Sequence, residues 1–348
     1  MKKILMYISF CFIASAFVAC EKDEVKTVLE NTTSGTLSAT KTSFTLLETD
    51  ADNPAVTFNW TDAFTYSAKV ATNKNYAVQI DKAGNNFKNP AELSSGITFT
   101  KIVSVSELNA AVVQTLKVLP GNVANFEVRV ACTLNGFAPI YSNVIPVTVN
   151  PYYLTASYSS IYVPGSYQGW SPDKAPALAS INDDGKYEGY INFPDPTTSF
   201  KFTQAQNWNS DFGDEAATGD SGKLKLKGTD MKAKAPGYYF ITADTIELKW
   251  KAVATTWAVV GDAPSDWNTD KDLKYDAATN AWLATLPLKK GEMKFRANKT
   301  NDISYGDRDA DGSLESDGDN IKIDADGTYT IKLLLGKPGN YVYSLKKN

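Results

Sequence analysis

The chain has 348 residues, 35 Lys and Arg against 39 Asp and Glu, 43% hydrophobic residues and no histidine. A formal net charge of −4 without any basic run argues against nucleic acid or an anionic membrane surface as partner. The missing histidine excludes every histidine-dependent triad, proton relay and zinc site.

Met1 to Lys3 form a positive start and Ile4 to Ala19 a mostly apolar run of sixteen residues. That run is shorter than the roughly 20 residues a membrane-spanning helix needs, so residues 1–19 are expected to be a removed signal peptide. Phe17-Val18-Ala19-Cys20 resembles a bacterial lipobox, and the acidic Glu21-Lys22-Asp23-Glu24 resembles the export signal of surface lipoproteins. Lipidation is therefore expected at Cys20, with residues 20–35 as a tethered linker. Losing Lys2 and Lys3 takes the formal charge from −4 to about −6. Cys11 leaves with the signal and Cys20 carries lipid, so Cys132 has no intramolecular partner and the fold stands without disulfides. Cys132 shares one strand face with Phe126, Val128, Val130 and Leu134, which predicts a buried, inert thiol.

Turn signals every ten or so residues between alternating apolar runs predict an all-β chain of tandem β-sandwich modules. The first spans 36–151. Its strand faces read Val56, Phe58, Trp60; Tyr76, Val78, Ile80; the Phe126 run; and Ile145, Val147, Val149. Asn125 to Val149 looks like the last two strands of a fibronectin III or immunoglobulin-like domain. Ser106 to Leu116 reads as one short capped helix with Leu108, Val112 and Leu116 on a single side.

Beyond Pro151 the chain repeats itself. Val163-Pro-Gly-Ser-Tyr-Gln-Gly-Trp170 parallels Val259-Val-Gly-Asp-Ala-Pro-Ser-Asp-Trp267. Phe200-Lys-Phe202 with Phe212-Gly-Asp214 parallels Met293-Lys-Phe295 with Tyr305-Gly-Asp307, at an unbroken offset of 93. Each copy ends in a Tyr-rich hairpin, so two further small sandwiches are expected at 152–251 and 255–348, with a joint at Lys251 to Thr256.

In each copy the Phe-Lys-Phe element reads as a strand whose apolar residues point inward, leaving Lys201, and Lys294 with Arg296, in solvent. Gln204, Asn207, Trp208 and Asn209 form a polar loop containing a large aromatic, and Trp170 ends the preceding Gly-rich loop. Sugars offer apolar C–H faces and hydroxyl edges, so an aromatic platform beside a cationic or amide donor suits them. Burying about 100 Å² of apolar area gives ~2.5 kcal/mol before the cost of association, so one such site binds weakly and gains from avidity. Trp60, Trp250 and Trp282 sit in strand registers with apolar neighbours and are assigned to packing. For Trp170 and Trp208 a core role stands beside the platform role.

Thr57-Phe-Asn-Trp60 and Tyr76-Ala-Val-Gln-Ile-Asp-Lys-Ala-Gly84, with the lipobox, the Gly-to-Trp loops and Lys294-Phe-Arg-Ala297, together resemble the SusE/SusF family of outer-membrane surface lipoproteins from starch-utilisation systems. The resemblance implies an N-terminal fibronectin III/immunoglobulin-like domain followed by two carbohydrate-binding-module-like sandwiches. It also implies a lipid anchor in the outer membrane, facing the cell exterior, and no cofactor. The implied activity is non-catalytic capture of polysaccharide, starch or another α-glucan first, for a SusC/SusD-type uptake system. Its partners would be a TonB-dependent transporter and a SusD-like lipoprotein. Two aromatics cradle the glucan in such modules while Lys or Arg bonds its hydroxyls, and by motif position Trp170, Lys201 and Trp208 match that set. In the third module Trp267, Lys294 and Arg296 are in place, but Asn301 stands where Trp208 would, so the second platform is missing unless Tyr305 replaces it.

Three other readings compete. Asp307-Arg-Asp-Ala-Asp-Gly-Ser-Leu-Glu315 opens like a calcium loop, but its twelfth position is Gly318 rather than a bidentate Glu and no flanking helices are predicted, so a plain hairpin loop is favoured and no metal is expected. A glycosidase needs two carboxylates about 5 to 10 Å apart across a cleft, and the acids here are scattered through turns of small modules, so no enzyme is expected. An assembly subunit contacting protein is the main alternative, and burial of Trp170 and Trp208 would favour it.

Overall fold

The structure is a computed structural model that describes residues 29–32, 34–66, 74–134, 138–216, 219–316 and 318–348. The expected signal peptide and Cys20 lie outside the described residues. Among the described residues no helix is long and apolar enough to cross a membrane. The fold is all-β, and its buried side chains gather in three clusters.

In the first, Leu37–Ala39, Pro54–Trp60 and Thr100–Ser104 form one sheet. It faces a second sheet ordered Ser43–Thr45, Ile145–Asn150, Ala124–Leu134, Lys74–Lys82, Ala91–Gly96. The alternation read from the sequence is the burial observed: Val56, Phe58 and Trp60 face Tyr76, Val78, Ile80 and the Phe126 run between the sheets. Cys132 is free and buried there, and burial pushes its thiol pKa up. A helix, Val105–Ala110, starts at Ser104, whose side chain accepts the Glu107 N–H while the Glu107 carboxylate accepts the Ser104 N–H. It runs on through Ala111–Thr115 in a wider π winding, which keeps Leu108, Val112 and Leu116 in the core.

The second cluster is enclosed by strands in the order Ser159–Tyr162, Ala177–Ser180, Lys186–Phe193, Gly237–Asp244, Lys249–Thr255, Ser221–Leu226, Asn207–Asp214, Phe202–Ala205. The last pairs back to the first at Tyr162 and Thr203, so the two layers close into a barrel without free edges. The third cluster lies between a sheet centred on Trp257–Val260 and Gly291–Ala297 and a four-stranded sheet of Lys274–Asp276, Ala281–Leu288, Gly327–Leu334 and Val342–Lys347.

The repeat seen in the sequence is a repeat in space. Phe202 pairs with Phe212, and 93 residues on Phe295 pairs with Tyr305. Gly213 lies so close to Gly228 and Thr229 that an added Cβ would stand 2.2 Å from the Thr229 carbonyl oxygen. Gly306 is wedged against Gly318 and Asp319 in the same way, at 2.1 Å. The hydroxyls of Tyr239 and Tyr329 donate to the carbonyls of Ala235 and Ala325, each four residues back, at 2.9 and 2.7 Å.

The second and third units share an aromatic seam. Tyr190 and Tyr238, on the outer face of the barrel, belong to the third core, where Tyr238 packs on Tyr275 and Trp282. Tyr190 meets Trp257, Tyr305 and Tyr341, with its hydroxyl 3.0 Å from that of Tyr305. The segment after Pro151 ties the first unit in: the Tyr153 hydroxyl donates to the Tyr343 carbonyl, and Asn340 brackets Ala156 through both its backbone groups.

Candidate functional site

Trp170 closes the turn of Ser166–Gln168 on an αL residue, Gly169, and is itself left-handed at φ +58°. Only glycine adopts that region freely, so the conformation carries strain that must be over-determined by its surroundings. It is: the Trp170 N–H donates to the Gly165 carbonyl, and Gln168 bonds both backbone groups of Ser171, at 2.7 and 2.6 Å. The Trp170 side chain is half-buried.

Trp208 arrives from the opposite side, near the start of the strand Asn207–Asp214 and just past a tight hairpin with Phe202–Ala205. The Gln206 side-chain amide at the hairpin tip donates to the Asp173 carbonyl at 3.2 Å and pins that tip to the Trp170 loop. The two indoles stand with ring centroids 6.1 Å apart and planes inclined by 41°. Trp208 is 39% exposed, high for so large an apolar side chain. The pair thus forms an open, angled aromatic surface on the rim of the barrel.

Its charged neighbours differ from the sequence reading. Phe200 and Phe202 are buried as the register requires, but Lys201 does not stand free in solvent. Its Nζ is ion-paired with Asp211 at 3.0 Å and its side chain is only 18% exposed. Asp211, itself buried, also holds Lys227. Burial opposes ionisation of Asp211, yet the hydrogen bonds from Lys227 and Lys201 outweigh it and keep the carboxyl below its usual range. The cation presented at the rim is Lys227, 58% exposed and donating to the Trp208 carbonyl at 3.1 Å. The sequence reading passes over Lys227, whose signal is the Lys/Leu alternation of Lys223-Leu-Lys-Leu-Lys227, and only the register that pairs Phe212 with Leu226 places it beside Trp208. Gln204 and Asn209 are exposed beside the pair, and Asn207 accepts the Asn209 N–H at 3.0 Å.

The third unit brings its expected residues together only in part. Trp267 is 41% exposed. Arg296, expected in solvent, is buried in a bidentate pair with Asp270 at 2.7 and 2.8 Å, and that pairing lowers the Asp270 pKa. Lys294 is half-buried on the same strand. Tyr305 is no replacement platform: it is buried, stacked on Trp257 and bonded to Tyr190. Asn301 turns toward Arg296.

The Asp307 loop is organised by its own chain. Asp307 accepts the N–H groups of Asp311 and Gly312 and the Tyr343 hydroxyl, and Asp311 accepts the Ser313 N–H. Among the described residues no group of acidic or cysteine side chains has a metal-holding arrangement.

Fold and rim define a class: tandem β-sandwich modules, one of which presents two angled tryptophans and a lysine on an open surface. The model of the SusE outer membrane protein family matches residues 22–131. No curated protein matches the chain. Among solved structures, that of SusF from Bacteroides thetaiotaomicron is similar at 14% identity, covering 90% of this chain and 77% of that chain, with a TM-score of 0.26, too low to support an inference.

Proposed function

We propose that this protein is a non-catalytic, lipid-anchored outer-membrane protein that captures polysaccharide at the cell surface, an α-glucan such as starch first, for a SusC/SusD-type uptake system. The observation that carries the reading is the inclination of Trp170 to Trp208, 41° at 6.1 Å. Coplanar rings suit a flat chain, whereas two rings set at an angle follow successive sugar faces of a curved one. Lys227 on the rim supplies a donor for hydroxyls at the edge of those faces. An open surface rather than a deep cleft fits binding along a polymer and fits no carboxylate-pair chemistry. The match to the SusE outer membrane protein family supports placement in the outer membrane, where a TonB-dependent transporter and a SusD-like lipoprotein would be the partners.

Affinity electrophoresis through gels containing starch, dextran, mannan, levan or xylan tests this. Retardation by one polysaccharide, lost in a Trp170→Ala, Trp208→Ala double variant that still melts cooperatively, is the expected result. A folded protein that no gel retards sinks the reading.

A second reading, an assembly subunit that docks protein, has one observation of its own. Thr100–Ser104 is an edge strand of the first unit, and Ile97, Phe99 and Ile102 on and beside it are 77%, 45% and 57% exposed. Such a patch suits a protein contact, and it leaves the tryptophan rim of the second unit free.

A further inference from the structure

Between the second and third units, floored by the segment 154–156 that Asn340 holds, lies a crevice of about 830 Å³. Its volume is that of a small-molecule site, and it is separate from the tryptophan rim.

Three walls bring chemistry to it. Glu188 projects from the outer face of the strand Lys186–Phe193, and Asn182 flanks it from the preceding turn. Arg308 and Glu315 come from the Asp307 loop, where Glu315 Oε2 accepts the Arg308 backbone N–H at 3.0 Å. Tyr341 comes from the turn before the last strand.

Two of these groups, Glu188 and Tyr341, meet in the wall. Tyr341 is only 3% exposed, and its buried hydroxyl lies against the Glu188 carboxyl. Among the described residues Glu188 forms no ion pair, and burial pushes its carboxyl pKa up while the hydrogen bond from the Tyr341 hydroxyl draws it down. Burial likewise raises the Glu315 pKa, with Asp307 and Asp311 adding to it.

The combination selects a ligand class. Two carboxyls against one guanidinium disfavour an anion, and Arg308 in the wall disfavours a cation. Polar side chains on every wall disfavour a large apolar molecule. An uncharged molecule with several adjacent hydroxyls satisfies carboxyl and guanidinium together.

We propose that the crevice is a second ligand site, one that takes a mono- or disaccharide end-on through Glu188 and Arg308, with the Tyr341 hydroxyl holding the Glu188 carboxyl in position. A chain end fits a crevice as a chain middle fits the open tryptophan rim. This site does not rest on the Trp170 and Trp208 reading, and the test keeps the two apart.

The full-length protein carrying Trp170→Ala and Trp208→Ala, purified in detergent, is titrated calorimetrically with glucose, maltose, mannose, mannobiose, xylobiose and fructose. Hydrogen exchange is followed with each sugar at saturation. One sugar is expected to bind this variant and to slow exchange at 181–188, 305–316 and 339–341. Adding Tyr341→Phe, which removes only the hydroxyl, or Glu188→Gln should each weaken that binding about tenfold with the melting temperature unchanged. If no sugar of the panel binds or protects those segments, or if binding is indifferent to both substitutions, the crevice is not a sugar site, and the rim proposal stands or falls separately in the polysaccharide gels.

Discussion

The second and third units are two copies of one scaffold that have kept their interiors and parted at their rims. The Phe202–Phe212 and Phe295–Tyr305 pairs, the wedged glycines and the tyrosine-to-carbonyl bonds recur at corresponding places. The rims share only one exposed tryptophan. The second unit adds Trp208 and the exposed Lys227, whereas the third locks its arginine in a bidentate pair and spends its tyrosine on the seam with its neighbour. A close-packed interior constrains each position through many contacts at once, while a rim position is free to change chemistry without disturbing the fold. Scaffold likeness therefore says little about whether a given copy binds anything.

The largest effect should fall equally on both copies. Gly213→Ala and Gly306→Ala each force a Cβ to 2.2 or 2.1 Å from a backbone oxygen, and each should destabilise by about 3 kcal/mol, read as a lowered denaturant midpoint. A silent substitution in one copy would break the claim of a common interior. Next, Trp208→Ala should weaken glycan retention roughly 50-fold, from the loss of about 2.5 kcal/mol of apolar contact. Because Trp208 is 39% exposed, it should shift stability by under about 1 kcal/mol. Unfolding instead would mark it as a core residue.

Smaller effects sharpen the contrast between the two lysines. Lys227→Ala should weaken binding a few-fold, about 1 kcal/mol, with little change in melting. Lys201→Ala should lower stability more than affinity, since it leaves buried Asp211 short of a partner. Asp211 and Asp270 both have depressed pKa values in the fold. The stability they contribute is present above the unfolded carboxyl pKa near ~4 and is lost as pH falls through the lower folded values. Melting temperature against pH should therefore drop below about pH 4, and Asp211→Asn should remove part of that drop. The smallest effect is expected from Trp267→Ala, within about twofold of the parent in every gel.

Most of the architecture was legible in the sequence, because period-two burial and turn chemistry are local. Val56, Phe58 and Trp60, the Phe126 run, the packed Trp60, Trp250 and Trp282, and a short helix with Leu108 inward all follow from spacing, although the helix begins at Val105 on a Ser104 cap rather than at Ser106. What spacing cannot carry is pairing across strands and between units. Lys201 reads as exposed from alternation alone, and only the strand register brings Asp211 and Lys227 to it. Arg296 alternates outward in the same way until Asp270, 26 residues away in sequence, closes over it. Tyr305 looked available until Tyr190 of the neighbouring unit covered it. Closure of the second unit into a barrel rests on the Tyr162 to Thr203 pairing, for which no local signal exists.

The most direct test compares the two rims within one protein. Starch-gel retardation of the parent, the Trp170→Ala, Trp208→Ala variant and the Trp267→Ala variant should show retention abolished in the first variant and unchanged in the second. Retention that survives loss of Trp170 and Trp208 but disappears with Trp267 would contradict the assignment of the binding rim to the second unit.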